Sequence, residues 1–428
     1  MKICKFLKLV SLVSFSMIFG ISNAAGTEKI KLSVSFWGGA VKQNAFKDTA
    51  NAYMKENPNI EIKLMNIPGS NYTTKLMAMV SSGTAPDIIN INTPLSLALK
   101  DQLVDLTDKM DDLGYFDKKL GLLPGWYNLL STDGKYNKGE KLYKAPLGTG
   151  TTILAYNKRL FDEAGVSYPT ADWTWEGEFI EAAKKLSKPR NQWGVNGFSW
   201  GIYVSIMKSY GGGMYNLDKL KFIGNSPESI RALNLMQDMI YKHKVHPTPS
   251  QQQAFGGTVG MFEAGHAAMY FLNTYEMPSI YDMKDEWDIQ FIPKGPMGSF
   301  STIYGGMLSV MKSSKNQEEG WKFVNYLNGP IGQGFFSISS GFNNPPLQKI
   351  ANKKEFRKGP KGAPENNWIR VDILNENVVL PFALVPNVAK INTILNDKLN
   401  LLWLNKVSPN KAMNEIQPKI QALLDEGF

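Results

Sequence analysis

The chain has 428 residues, of which 43% are hydrophobic and 20% are charged. This composition excludes a disordered or collagen-like chain, and the length exceeds what one hydrophobic core normally covers, so two lobes are expected. The formal net charge of +9 is spread along the sequence without a recognisable basic module, which argues against nucleic acid as a partner.

The first residues have the pattern of a secretory signal peptide, residues 1–24. Three lysines precede an apolar run over residues 9–21, and small residues at 22–24 favour cleavage after Ala24. The run is too short for a membrane-spanning helix, which needs about 20 residues. Cys4 is the only cysteine and lies before the apolar run. We therefore predict an exported, periplasmic protein without a lipid anchor or a disulfide.

The next part of the chain alternates strands with helices. Period-two alternation and helical spacing of apolar residues predict strands at 30–36, 60–67 and 87–92 and helices at 41–56 and 72–82. Strands joined by helices at this spacing indicate βα units and a mostly parallel sheet.

The rest of the sequence continues the same alternation. The predicted strands are 152–156, 267–272 and 287–292. The predicted helices are 158–164, 179–186, 226–243, 318–327 and 408–424. Pro418 lies inside the last of these helices and should kink it. The fold class is therefore α/β.

Five short motifs follow one another along the chain. They are Ser82-Gly83-Thr84-Ala85-Pro86-Asp87, Leu154-Ala155-Tyr156-Asn157-Lys158, Trp175 with Phe179, Phe262-x-x-Gly265-x-Ala267, and Gly305-Gly306 with Trp321-x-Phe323. In this order the chain resembles the family 1 extracellular solute-binding proteins of bacterial ABC importers, the group that includes the maltose-binding protein. The resemblance implies a two-lobe periplasmic binding protein fold. Each lobe would be a mostly parallel sheet flanked by helices, and a three-segment hinge would join the lobes.

The same resemblance implies how the chain is divided and what it contacts. The hinge crossings would lie near 146–149, 290–293 and 327–329. The N-terminal lobe would combine residues 27–147 with 293–327, and the C-terminal lobe 148–292 with 328–428. A small-molecule solute, most often a carbohydrate in this family, would bind between the lobes of a monomer. The closed form would then dock on the permease subunits of an ABC importer at the membrane.

Candidate ligand-binding residues follow from the chemistry of sugars. A sugar presents apolar faces and a rim of hydroxyls, so its site needs aromatic rings beside polar groups. Loops and strand ends that offer such pairs contain Trp37, Gly38, Tyr72, Asn92, Thr93, Trp126, Thr149, Trp200, Asn273, Tyr275, Tyr304, Gly305, Phe342 and Asn343. By resemblance, Tyr275 occupies the place where family members put a stacking aromatic residue. We interpret six further tryptophans as packing residues: Trp173, Trp175, Trp193, Trp287, Trp321 and Trp403.

A secreted hydrolase that uses Ser199 is a remote alternative. Residues 197–201 fit the G-x-S-x-G nucleophile elbow, which requires a buried strand directly before it. The preceding residues are polar and interrupted by glycine, which argues against a strand. The nearby histidines, His243 and His246, belong to a cationic helix exit that we expect to face solvent. We therefore predict no enzyme.

Metal and phosphate chemistry find little support in the sequence. His243 and His246 alone are too few ligands for zinc, so neither a metal site nor a cofactor is predicted. A glycerol-phosphate ester or a polyol is the alternative solute for the same fold. Phosphate calls for an arginine or a helix N-terminus in the cleft. The arginines, Arg370 among them, are expected to lie away from the candidate loops, which favours a neutral sugar.

Overall fold

The computed structural model describes residues 29–131, 137–188, 190–375, 378–380 and 385–427, so the predicted signal peptide lies outside the described residues. The strands are β1 (Ile30–Phe36), β2 (Ile60–Asn66), β3 (Ile88–Ile91), β4 (Ala145–Asn157), β5 (Trp193–Asn196), β6 (Tyr215–Asn216), β7 (Lys221–Phe222), β8 (Ala267–Asn273), β9 (Trp287–Gln290), β10 (Ser301–Val310) and β11 (Val378–Val379).

The α-helices are α1 (Ala40–Glu56), α2 (Gly69–Ser81), α3 (Thr93–Leu99), α4 (Thr107–Asp112), α5 (Trp126–Leu130), α6 (Lys158–Ala164), α7 (Ile180–Leu186), α8 (Trp200–Ser209), α9 (Pro227–Tyr241), α10 (Pro249–Ala254), α11 (Gly257–Glu263), α12 (Met277–Ile280), α13 (Gln317–Asn328), α14 (Pro330–Gln333), α15 (Gln348–Ala351), α16 (Lys354–Lys358), α17 (Ile369–Asp372), α18 (Val388–Trp403) and α19 (Pro409–Asp425). Short 3₁₀ or π-helical segments occupy Lys100–Gln102, Trp175–Phe179, Thr274–Glu276, Gly334–Ser339 and Ile373–Asn375.

One sheet runs through the molecule in the order β2-β1-β3-β10-β4-β8-β5, with β11 beside β10 and β9 beside β4. The pairs β1–β2, β1–β3 and β5–β8 are parallel. The antiparallel pairs described in this sheet all include β4 or β10. Each half of the sheet therefore has the parallel βα character predicted from the sequence, and two long antiparallel strands connect the halves.

Two large hydrophobic clusters cover the sheet, and a small third one contains Trp193, Met261 and Ala267. The first contains residues of β1, β2 and β3 with those of α1 and α13, and the second contains residues of α8, α9, α18 and α19. Neighbouring residues of β4 divide between them, because Ile153 belongs to the first cluster and Leu154 to the second. The tryptophans interpreted as packing residues are all buried, which confirms that prediction: Trp173, Trp175, Trp193, Trp287, Trp321 and Trp403.

Local signals set several helix ends where the sequence predicted them. The Asn157 side chain accepts a hydrogen bond from the amide of Leu160 at the start of α6, and Gly165 ends that helix with φ of 62°. Ser226 caps α9 in the same way, with Pro227 at its first position. In the described ranges, none of the helices is long and apolar enough to cross a membrane.

Several elements were not predicted from the sequence, among them β5, β10, α8 and α18. Two glycines interrupt the alternation of β10, which forms because β3 and β4 supply hydrogen-bond partners on both of its edges. In α19 the assigned helix continues through Pro418 to Asp425.

Residues after α13 pack on the N-terminal helices. Phe336 contacts Phe46 of α1 edge to face, with ring centroids 4.9 Å apart. The Gln333 amide also donates to the carbonyl of Leu147 at 2.8 Å. The lobe boundaries stay a prediction. The contacts of Gln333 and Phe336 show that residues just after the predicted boundary between 327 and 328 pack on the N-terminal part of the chain.

Candidate functional site

The candidate site is centred where β4 and β10 lie side by side. Two glycines on one face of β4 allow amide side chains to reach its backbone. A Cβ at Gly148 would lie 2.5 Å from the Cβ of Asn343, and a Cβ at Gly150 would lie 2.7 Å from the Tyr275 ring and would clash with the Asn273 amide. This face of β4 therefore brings predicted residues from β8 and from the loop after Gly334–Ser339 to one place.

The first wall of the site lies at the carboxyl ends of β1 and β3. Trp37 directly follows β1 and is half-buried, and its ring lies 4.6 Å from that of Tyr72 on α2. Tyr72 is buried, and its hydroxyl forms a 2.9 Å hydrogen bond with Ser35 Oγ. Burial raises the pKa of Tyr72, so its phenol is neutral. Packing against α2 thus fixes the orientation of Trp37.

A buried cation that was not predicted lies behind Trp37. The Lys42 Nζ donates to Asn90 Oδ1 at 2.6 Å and lies 4.7 Å from the centroid of the Trp37 ring. Asn90 in turn donates to the carbonyl of Met307 on β10 at 2.6 Å. Burial lowers the pKa of Lys42 to about 7. Lys42 stands four residues before Phe46 and therefore lies on the buried face of α1. This spacing in the sequence could have predicted that Lys42 is buried.

The second wall contains three aromatic residues in contact. The Asn273 side chain accepts a hydrogen bond from the Tyr275 amide at 3.1 Å, which sets the turn after β8. Tyr275 Oη donates to the Tyr304 carbonyl at 2.7 Å. The rings of Tyr275 and Phe342 lie 5.1 Å apart at 30°. Four of the predicted residues are thus brought together around β10.

A half-buried carboxylate, Glu276, supports this wall and was also not predicted. The Glu276 side chain accepts from the Asn273 amide and from the Tyr270 hydroxyl, each at 2.9 Å. Burial raises the pKa of Glu276 above its usual value. The position of Glu276 three residues after Asn273 completes a capping box, and this spacing could have predicted its hydrogen bond to the Asn273 backbone.

The start of α8 closes the second wall. Trp200 is half-buried, and Gly201 follows it in the tightest part of the site. A Cβ at Gly201 would clash with the Tyr304 hydroxyl and lie 2.6 Å from Thr302 Oγ1. Thr302 shares a 2.6 Å hydrogen bond with Thr152 on β4. These two threonines were not predicted, and together with Tyr304 they form a group of hydroxyls beside Trp200.

The structure does not bring every candidate residue to this cluster. Asn92 is exposed and its side chain caps α3, while the side chain of Thr93 lies outside the described residues. Trp126 is completely buried, as a core residue is. Thr149 is buried, and both it and Gly305 alternate to the strand face opposite the glycines of β4.

The expectation that no strand precedes the G-x-S-x-G motif was wrong. β5 is completely buried and ends at Asn196, directly before the motif. Its own sequence does not indicate a strand, and backbone pairing with β8 holds it in the sheet. His246 was expected to face solvent and is instead buried. Its Nε2 accepts from the Phe198 amide at 3.3 Å and its Nδ1 contacts the Pro247 carbonyl at 2.7 Å. Both ring nitrogens of His246 therefore bond to backbone groups and not to Ser199.

The expectation that Arg370 lies away from the candidate loops was also wrong. Its Nε donates to Asn344 Oδ1 at 2.9 Å, and the backbone N–H of Asn344 donates to the carbonyl of Thr149 on β4 at 2.8 Å. Arg370 is completely buried. In the described part of the chain, no group of three or more His, Cys, Asp and Glu side chains is placed to hold a metal ion.

Comparison with known proteins gives matches along most of the chain. The family model described as bacterial extracellular solute-binding protein matches residues 39–334. A putative binding protein of Brucella abortus (strain 2308) is 24% identical over 420 residues, which cover 95% of this chain and 96% of that protein. The arabinooligosaccharide-binding protein of Halalkalibacterium halodurans is 25% identical over 299 residues, which cover 66% of this chain and 64% of that protein.

A solved structure shares the fold. The ABC substrate-binding protein Lmo0181 from Listeria monocytogenes, in complex with cycloalternan, superposes with a TM-score of 0.78 at 25% identity. The superposition covers 92% of this chain and 98% of that one. The predicted α/β fold of two lobes is thereby confirmed.

Proposed function

Because this chain belongs to the bacterial extracellular solute-binding protein family, we propose that it captures a sugar or oligosaccharide between its lobes and delivers it to the permease of an ABC importer. The observation that carries the proposal is that aromatic rings and amides from both halves of the sheet attach to β10. On the side of Trp37, Asn90 donates to the Met307 carbonyl, and on the other side Tyr275 donates to the Tyr304 carbonyl.

The two walls of the site offer the groups that a sugar needs. Half-buried rings at Trp37, Trp200 and Tyr275 supply flat apolar surfaces for its C–H faces. The half-buried side-chain amide of Asn273 supplies hydrogen-bond partners for its rim. Each ring contact of this type contributes roughly 0.5–1.5 kcal/mol beyond the area it buries. Several such contacts, with hydrogen bonds that a mismatched sugar leaves unmade, would give selective binding.

Closure of two lobes explains how such a site would release its solute at a permease. In the proposal the first lobe comprises residues 27–147 and 293–327, and the second comprises 148–292 and 328–428. Residues after 328 also contact the first lobe, since Phe336 packs on α1 and the Leu123 amide donates to the Pro346 carbonyl at 3.0 Å. Bending at β4 and β10 would open and close the cleft. Residues 1–24 would direct export, and the mature protein would act as a periplasmic monomer.

The proposal includes no chemistry on the solute. His246 is not placed to act as a base for the candidate nucleophile Ser199, since both of its ring nitrogens bond to backbone groups. A glycerol-phosphate ester or a polyol remains the second candidate solute. It is favoured by one observation, the presence of the guanidinium of Arg370 near β4.

A thermal-shift screen tests the proposal. Mono- and oligosaccharides, a glycerophosphodiester and polyols are each added to the mature protein. A sugar present at 100 times its dissociation constant should stabilise the fold by about 2.7 kcal/mol. Tyr275→Ala should weaken that sugar about three- to tenfold, and the exposed Tyr168→Ala should leave its affinity unchanged. A silent sugar panel with a response to the diester would overturn the choice of solute.

A further inference from the structure

The charge of Lys42 has no counter-charge in the described structure. Lys42 is 6% exposed, and in the described ranges no ion pair joins its ammonium to a carboxylate. An ammonium carries three N–H donors. One of them bonds to Asn90, and the Trp37 ring provides only the weaker attraction of its π face. A buried cation in this setting is costly unless an anion approaches it.

The groups packed around the ammonium are neutral. Asn90 cannot balance the charge, since its Oδ1 already accepts from Lys42 and its amide donates to the Met307 carbonyl. The Tyr72 phenol bonds to Ser35 and stays protonated, because burial raises its pKa. The first wall therefore presents net positive charge wherever Lys42 is protonated.

Lys42 lies where a bound solute would feel its charge. It is the third residue of α1, a 17-residue helix that has no acidic residue in its first turn and no side-chain cap. Its aliphatic stem lies against Gly38, and its Nζ lies against the ring of Trp37, both of which are half-buried. The ammonium is therefore directly behind the part of the first wall that remains exposed.

A second unmatched cation lies on the other side of the β4–β10 pair. Arg370 is completely buried, and its side chain bonds to Asn344 and to the Tyr281 hydroxyl. Among the residues that the structure describes, its Nη2 has no hydrogen-bond partner. Glu276 is a half-buried acid of the second wall, and burial favours its uncharged form by raising its pKa. The two unmatched cations, Lys42 and Arg370, thus favour an anionic guest over a neutral one.

We propose that the solute is an anionic sugar, one that bears a carboxylate or a phosphate, and that Lys42 is the residue of the first wall that selects it. This inference rests on the proposed function. An anionic oxygen group near Trp37 would supply the counter-charge that Lys42 lacks, whereas a neutral sugar would leave the ammonium unmatched. Lys42 is thus a specificity residue and Trp37 a contact residue of the same wall.

Calorimetric titration with matched sugars tests the inference. Each set contains a neutral hexoside, its uronate and its phosphate, so that the carboxylate and phosphate sources are separated. The wild-type protein should bind one anionic member at least about tenfold more tightly than the neutral member. Lys42→Met should bring the two within about twofold. Lys47→Met removes an exposed lysine of the same helix and should change neither affinity.

A pH series on the wild-type protein covers the case in which Lys42→Met does not fold. Affinity for the uronate should fall as the pH rises from 6 to 8.5, because Lys42 loses its proton in this range, while affinity for the neutral sugar stays level. Equal affinities for neutral and anionic sugars, or a preference that survives Lys42→Met, would overturn the inference alone. Failure of every sugar to bind would overturn the proposed function with it.

Discussion

At the residue scale, His246 connects the interior of the protein to the loop that leads into α8. Its ring stacks on Phe198 with centroids 3.9 Å apart, and its Nε2 accepts the Phe198 amide proton. That hydrogen bond requires an unprotonated Nε2. Burial lowers the pKa of His246 to about 3. The neutral imidazole is therefore part of the packing that holds Ser199 and Trp200 in place.

The first prediction concerns acid stability. Because the native pKa of about 3 lies below the unfolded value of about 6.5, the unfolded chain binds the extra proton between these values. The contribution of His246 is fully present above pH 6.5 and is lost as the pH falls towards 3. Chemical denaturation should show a loss of about 2–3 kcal/mol between pH 6.5 and 4.5 from this group.

His246→Gln should flatten that acid limb, and His266→Gln should not. His266 is only half-buried and serves as the matched control. Equal slopes for the wild-type protein and His246→Gln would contradict the account of this residue.

The second prediction compares two tryptophans that are both completely buried. Trp175 Nε1 donates to Ser209 Oγ at 3.1 Å, whereas Trp126 Nε1 has no hydrogen-bond partner within the described parts of the chain. Replacement by Phe leaves a similar cavity at each site but removes a hydrogen bond only at Trp175. Trp175→Phe should therefore lower the free energy of unfolding by about 1 kcal/mol more than Trp126→Phe. If urea denaturation showed a larger loss of stability for Trp126→Phe than for Trp175→Phe, differences in packing and not the hydrogen bond would determine the two losses.

At the scale of elements, α8 packs on β10 through a contact that only glycine allows. The hydroxyl of Tyr304 occupies the space that a Cβ at Gly201 would need. The start of α8 is thereby held close to the strand that carries the second wall.

The third prediction is a double-mutant cycle on this contact. Gly201→Ala should destabilise the protein by about 1–3 kcal/mol, since the new methyl group forces the helix away from Tyr304. Tyr304→Phe removes the obstructing hydroxyl and should recover about 1 kcal/mol of that loss in the double variant. Gly334→Ala is the control, because nothing lies within 4 Å of a Cβ there. Strict additivity of Gly201→Ala and Tyr304→Phe would mean that the hydroxyl is not the obstacle.

The sequence predicted those elements whose local signals agree with their packing. α6 has an amide cap and a terminal glycine, and β1 has clear alternation. β5 and β10 escaped prediction because neighbouring strands, and not their own residues, supply their pairing. Tyr275 and Asn343 were predicted as site residues because each stands where an aromatic ring adjoins a polar group in the sequence. Lys42 and Arg370 were not predicted, because what distinguishes them is burial without a counter-charge in the described structure, and this depends on the fold.

At the scale of the whole molecule, two strands connect the halves of the sheet. β4 has 13 residues, and all of them are buried. Its neighbours change along its length, from β10 on the N-terminal side to β8 and β9 on the C-terminal side. Both walls of the candidate site attach to β10, through the Met307 carbonyl on one side and the Tyr304 carbonyl on the other. Bending of this strand pair would move the two walls relative to each other.

Small-angle X-ray scattering of the mature protein, with and without a saturating sugar found in the thermal-shift screen, tests the central claim of capture by closure most directly. Binding should reduce the radius of gyration, and the sugar recovered afterwards should be chemically unchanged. A sugar that binds without changing the radius of gyration, or that is recovered as a different compound, would contradict the account.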